Sequence, residues 1–182
     1  YDERWTGDLD EMETQRMIRV LTVYGLGRYF LDGGRPKGLT YELFSAFEDF
    51  VNERMDKGPL RVHVVFIPVG RDELFTSLLE GRGDIAAAGL TITPEREAIV
   101  DFTRPLTKEL SEVLVTGPSA PKIKSIDDLS GKTIYVRASS SYRASLDHLN
   151  ERFRNEGKPE IVLQDASEDL EDEDLLEMVN AG

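Results

Sequence analysis

The spacing of apolar residues along this chain switches between short runs and a helical period. Ile18 to Val23 (IRVLTV) is a compact apolar run and predicts a first strand. A second run, Arg61 to Ile67, is closed by Pro68. A third, Asp84 to Ala88, has the unbroken apolar character of a strand covered on both faces. Between these runs the period lengthens. Leu43, Phe44, Phe47, Phe50 and Val51 recur at helical spacing with Glu48, Asp49, Glu53 and Arg54 off that face, so a helix capped by Thr40 is expected. Phe44 and Phe47 read as core side chains rather than ligand contacts. A further helix starts near Arg71, buries Leu74, Phe75, Leu78 and Leu79, and ends at Gly81 to Gly83. The order β-α-β-α-β implies a mostly parallel sheet with helices on both sides.

The flanks complete the pattern. Residues 8 to 17 predict a short helix with Asp8 as its cap. Tyr24 to Gly38 is a glycine-rich loop. After Asp84 to Ala88 comes a small-residue loop and a proline-started helical turn carrying Arg96. Past Thr103 the pattern changes: Ser111 to Thr116 alternates as a strand, and Ser125 to Leu129 is a helical turn. Lys132 to Arg137 is a strand, and the run Ala138-Ser139-Ser140-Ser141 opens a helix from about Tyr142 to Asn155 with Leu146, Leu149 and Phe153 on one face. Glu160 to Leu163 is another strand. The acidic stretch Asp165 to Asp174 reads as a solvated loop, with Asp172 or Asp174 starting a last helix through Leu175, Leu176 and Val179. The expected organisation is an N-terminal helix or linker over 1–17, a first lobe over 18–106 and an incomplete second lobe over 107–182. A cleft between two such lobes suits a ligand, because open α/β sheets bind at the C-terminal ends of their strands.

Composition narrows the function classes. Against 22 Lys and Arg stand 35 Asp and Glu, a net charge of −13. That excludes non-specific nucleic-acid binding and docking on anionic lipid, both of which need basic patches. Cysteine is absent, so disulfides, thiolate nucleophiles and thiolate metal sites are excluded. No apolar run approaches the about 20 residues of a membrane span. The chain starts at Tyr1 rather than Met and ends within an expected element, which reads as a piece of something longer. Catalytic patterns are missing. His63 lies mid-strand and His148 mid-helix, neither beside a nucleophile, and no nucleophile elbow, HExxH or phosphate loop occurs. The acidic stretch lacks the glycine turn and ligand spacing of a calcium loop. No cofactor and no metal are expected.

Three constellations suit binding. Gly89, Thr91 and Arg96 combine close backbone approach, a hydroxyl and a planar fork of donors for a carboxylate. Their plain alternative is a surface ion pair of Arg96 with Glu97 or Asp101. Ser139, Ser140 and Ser141 open a helix, where N–H donors favour an anion; the alternative is an ordinary cap. Tyr24 and Tyr29 lie in the glycine-rich loop, where they either wall a pocket or pack the loop.

These constellations, in this order, resemble the bacterial extracellular solute-binding proteins of family 3, the periplasmic receptors of polar amino-acid transporters. The resemblance runs through D-I-A-A-A-G-L-T-I-T-P-E-R, V-D-F-T-R-P-L and L-S-G-K-T-I-Y-V-R-A-S-S-S-Y, and spans about Ile18 to Gly182. It implies an α/β periplasmic-binding-protein-like fold in two lobes, with mostly parallel sheets flanked by helices and the second lobe and return crossover truncated. It implies ligand contacts at Arg96 (the α-carboxylate), Thr91, Gly89, Ser140 and Ser141, with the first-loop aromatic falling on Tyr24 or Tyr29. The family's lobe-two aspartate for the α-amino group has no counterpart within the chain.

A narrower resemblance, through D-L-D-E-M and Y-F-L-D-G-G-R-P-K-G-L-T-Y-E-L, is to the N-terminal module of membrane-bound lytic transglycosylase F. It implies a periplasmic sensor for an amino acid or cell-wall peptide (muropeptide), outer-membrane-associated in the full-length protein, with a peptidoglycan-cleaving catalytic domain beyond residue 182 and no catalytic residue in this chain. A stand-alone receptor of an amino-acid ABC transporter is the first alternative, with the transporter as partner; under either reading a monomer is expected. A dehydratase of the arogenate or prephenate type and an interaction module that has lost its ligand are the others.

Overall fold

The structure is a computed structural model that describes residues 4–55, 60–108 and 110–182. Residues 1–3 of the expected N-terminal segment and Glu109, ahead of the expected strand over 111–116, lie outside them. The chain divides into two compact units, Tyr1–Leu90 and Thr91–Gly182.

The first unit is built on three parallel strands in the order β4-β1-β5, with β1 over Met17–Thr22, β4 over His63–Pro68 and β5 over Ile85–Ala86. Met17 pairs with His63, and Val20 with Ile85, so β1 is central. Its side chains alternate as a doubly covered strand requires. Ile18 and Val20 pack with Phe44, Val51 and Val62, whereas Leu21 and Val23 pack with Leu74 and Ala88. The first group is covered by helix α2 (Leu39–Met55), the second by a 3₁₀ turn (Arg71–Glu73) running into α3 (Leu74–Leu79). Helix α1 (Leu9–Gln15) precedes the sheet, and the Asp8 carboxylate accepts from Leu9 N–H as its cap.

The second unit pairs β6 (Thr133–Val136) with β7 (Val162–Asp165) in parallel, with α5 (Ser141–Asn155) as the crossover. Leu129, Phe153 and Ile161 form its core, joined by Leu146 and Leu149 from α5. It also holds the short α4 (Pro94–Glu97), a 3₁₀ turn (Ile126–Leu129) and the terminal α6 (Asp172–Ala181).

One device recurs in both units. In α2, the Asn52 amide donates to the Val62 carbonyl (2.9 Å) and accepts from Val62 N–H (2.8 Å). In α5, Asn150 does the same with Ile161, at 3.0 and 2.6 Å. Each asparagine satisfies both backbone groups of a buried residue just before the next strand, which fixes where that strand begins.

The fold class is as the sequence indicates: an α/β periplasmic-binding-protein-like architecture, of which part is covered. Several local expectations are corrected. The glycine-rich loop contains an antiparallel hairpin, β2 (Phe30–Asp32) with β3 (Arg35–Lys37), turned by Gly33 and Gly34 at φ of 57° and 78°. Two consecutive residues with positive φ match the right-handed twist of a hairpin, and glycine admits them without strain. Helix α2 starts one residue before Thr40, which is buried in its first turn instead of capping it. Leu43, Phe50 and Leu79 are exposed, because the sheet beneath is only three strands wide and covers a narrow stripe of each helix. The alternating segment 111–116 is irregular, with Val113 80% exposed. Alternation makes a strand only beside a partner, and none of the described strands pairs with it.

Candidate functional site

Four of the predicted ligand residues, Tyr24, Tyr29, Gly89 and Thr91, sit in loops that leave the strands, Arg96 sits in the short α4, and Ser140 and Ser141 sit at a helix start. In the first unit, β1 runs into Val23 and Tyr24, and β5 into Ala87, Ala88 and Gly89. The two exits are stitched together: Ala87 N–H donates to the Leu21 carbonyl (2.8 Å), and the Thr22 hydroxyl donates to the Ala87 carbonyl (2.8 Å). Gly89 follows at φ of 63°, a backbone state that excludes most side chains, and it is exposed. Arg71, from the 3₁₀ turn after β4, donates to the Ala88 carbonyl (3.2 Å). Tyr24 is 57% exposed, and its hydroxyl accepts from Leu31 N–H at 3.4 Å. Tyr29 stacks on Phe66 with centroids 5.0 Å apart and planes at 19°. That stacking ties the hairpin to the sheet.

In the second unit the proline-started turn is capped by Thr93, whose hydroxyl accepts from Arg96 N–H (3.4 Å). The Glu95 carboxyl beside it is held below the ordinary carboxylate range, first by its own backbone N–H and then by the Thr93 hydroxyl. The half-buried Arg96 guanidinium donates from Nη1 to the Thr91 carbonyl (2.9 Å) and from Nη2 to the Ser139 carbonyl (3.1 Å). Thr91 therefore serves Arg96 through its backbone oxygen. Ser140 caps α5, its hydroxyl accepting from Tyr142 N–H (3.2 Å), and Ser141 is the first helical residue.

The structure ties Arg96 to Thr91 and to the segment that opens α5 at Ser140 and Ser141, all in the second unit, and links Tyr24 to Tyr29 in the first, the unit that also holds Gly89. Ser139 links the first group, because its carbonyl receives Arg96 one residue before the cap.

Sequence reasoning missed Glu168. Its carboxylate accepts from Ser139 N–H (2.9 Å) and from the Ser139 hydroxyl (2.6 Å), so an acid of the chain itself sits at the entrance to α5. The acidic stretch is thus no freely solvated loop. Arg137, only 4% exposed, pairs with Asp172 and donates to the Leu170 carbonyl, and Arg143 pairs with Asp165. The signal lay in Arg137 and Arg143, two cations flanking the serine run, which draw the facing acids in.

No group of three or more His, Cys, Asp or Glu among the described residues has the spacing to hold a metal ion. His63 is exposed with Nδ1 3.5 Å from Glu48, and His148 is exposed on α5. No helix among the described residues is long and apolar enough to cross a membrane.

A profile of the bacterial extracellular solute-binding proteins, family 3, matches residues 27–182. The membrane-bound lytic murein transglycosylase F of Aeromonas hydrophila is 30% identical over 178 residues, 97% of this chain and 32% of that protein. The protein of the same name from Desulfosudis oleivorans is 33% identical over 132 residues, 72% of this chain and 27% of that protein. The chain spans about a third of the length of these curated relatives. Among solved structures, an ancestral amino acid-binding protein, a precursor of cyclohexadienyl dehydratase, superposes with a TM-score of 0.63 at 28% identity, covering 87% of this chain and 64% of that one. An ancestral arginine-binding protein bound to arginine gives 0.62 at 28% identity, covering 82% and 60%.

Proposed function

This chain belongs to the bacterial extracellular solute-binding proteins of family 3, and we propose that the solute it binds is a small carboxylate-bearing molecule, an amino acid or short peptide. The chain is a small-molecule-binding module of the periplasmic-binding-protein type, and family and fold are those of the periplasm. The observation that carries the proposal is the direction of the Arg96 guanidinium. Carbonyls at 2.9 and 3.1 Å aim its fork beside the Ser140 and Ser141 helix start, so a carboxylate arriving there meets a pre-ordered donor. Thr91 supplies the neighbouring loop of the second unit; Gly89, Tyr24 and Tyr29 are the candidate contacts of the first unit taken by itself.

Amino-acid receptors among the solved relatives at 28% identity support this reading over a purely cell-wall one. A charge-assisted pair of this kind contributes about 1.5–3 kcal/mol, so Arg96→Ala weakens binding by at least about tenfold. Calorimetric titration of both proteins with an amino-acid panel checks this, and equal affinities sink the assignment.

A second reading concerns the whole protein: the module regulates a peptidoglycan lytic transglycosylase whose catalytic part lies elsewhere in the longer chain. Its support is the 30% identity with the Aeromonas hydrophila protein along 97% of this chain. Stem-peptide fragments binding more tightly than free amino acids favour it, and the reverse order favours a transporter receptor.

A further inference from the structure

The loop after β1 carries a cation that the family-derived site leaves out. Arg28 is half-buried, and its backbone is tied from both sides. Its N–H donates to the Gly25 carbonyl (3.0 Å), and its carbonyl accepts from Thr40 N–H at the start of α2 (3.0 Å). The side chain lies across Gly89: a Cβ built on that glycine would fall on the Cζ and terminal nitrogens of Arg28. The guanidinium therefore rests on bare backbone, at a position that its own φ of 63° already reserves for glycine. Among the described residues nothing accepts a hydrogen bond from it. Elsewhere in this unit, Arg4 and Arg82 pair with Glu80, and Arg19 with Asp84.

A guanidinium that is partly removed from water and given no acceptor is costly unless something else supplies one. The chain has 35 acids, yet Arg28 forms an ion pair with none of those among the described residues. The place is also the right one. The loops after β1 and β5 leave adjacent parallel strands at their C-terminal ends, where open α/β sheets take their ligands.

We propose that Arg28, lying over Gly89, is an acid-group subsite of the first unit and grips a side-chain carboxylate of the bound solute through two parallel hydrogen bonds. The solute class is then narrowed to acidic amino acids, or peptides bearing an acidic side chain. This rests on the solute-binding reading above, and the observations behind it are independent of Arg96.

The test uses L-glutamate and L-glutamine as probes, which differ only in the side-chain acid. Both are titrated calorimetrically into the wild-type chain, Arg28→Gln and Arg28→Lys. The expected result is that wild type prefers glutamate, and that Arg28→Gln loses at least about tenfold for glutamate and little for glutamine. Arg28→Lys recovers part of the loss, and ligand-free melting midpoints agree across the three proteins. Glutamate affinity unchanged in Arg28→Gln, a wild-type preference for glutamine, or no glutamate binding by wild type overturns the subsite. Glutamate binding that depends on Arg96 but not on Arg28 removes this proposal alone and leaves the solute-binding reading standing.

Discussion

The Arg19 and Asp84 side chains are 1% and 2% exposed, so their ion pair is held almost without water. Nη2 meets Oδ1 at 2.7 Å, Oδ2 accepts from Arg19 N–H (2.7 Å) and from Nε (3.3 Å), and Nη1 and Nη2 also donate to the Gly81 and Trp5 carbonyls, each at 2.9 Å. The Trp5 ring lies 4.2 Å from the guanidinium carbon. Removing one partner strands the other without water. Asp84→Ala should therefore lower stability by about 3–5 kcal/mol, whereas Arg19→Met with Asp84→Leu should cost less than either change alone. Urea unfolding of Asp84→Ala, of the two singles and of the double measures both, and a double variant that costs as much as either single contradicts the account. None of this was legible in the sequence. Arg19 interrupts an apolar run, and Asp84 begins another 65 residues later. What joins them is the pairing of β1 with β5, which no local pattern states. The turn that carries Arg96 was legible because it is local: Thr93, Pro94 and Arg96 lie within four residues.

At the scale of elements, the sequence reads well where burial is periodic and badly where it is not. Phe44 and Val51 mark the buried stripe of α2, and Leu146, Leu149 and Phe153 that of α5. Leu43 and Phe50 share the helical spacing yet face outward, because the width of the covering sheet is a tertiary quantity. The hairpin over 30–37 hid in a glycine-rich segment, since its strands are only three residues long. Short polar turns were legible through chemistry. The Ile126–Leu129 turn is held by Asp128, whose carboxylate accepts from Lys124 N–H (2.8 Å) and Ser125 N–H (3.0 Å). Those two backbone donors lower its pKa from the ordinary aspartate value of 3.8. The sign follows from linkage: a carboxyl depressed in the folded state contributes stability above its unfolded pKa and loses it as pH falls through the folded value. NMR titration of Asp128 should thus give a midpoint below 3.8, and Asp128→Asn should remove the acid-side loss of the turn. A midpoint at or above that value contradicts the hydrogen bonding described.

At the scale of the molecule, two units repeat one plan: a parallel strand pair, a crossover helix, and an asparagine that pins the next strand. The order of strands and helices made that plan legible, since a parallel pair needs a helix-length crossover. The division of predicted ligand residues between the units was not legible, because it depends on which loops pack together. Glu168 escaped notice for the same reason, being drawn to Ser139 from 29 residues away.

The central claim is that this chain holds a small carboxylate-bearing solute, and a melting curve against ligand concentration tests it most directly. A solute that binds only the folded chain stabilises it by RT ln(1 + [L]/Kd), about 2.7 kcal/mol at one hundred times Kd. The melting midpoint should rise steadily with the logarithm of concentration for at least one amino acid or stem peptide, and stay flat for its carboxyl-amidated form. Midpoints that stay level for every amino acid and stem peptide, or that climb equally with the amidated forms, contradict the claim.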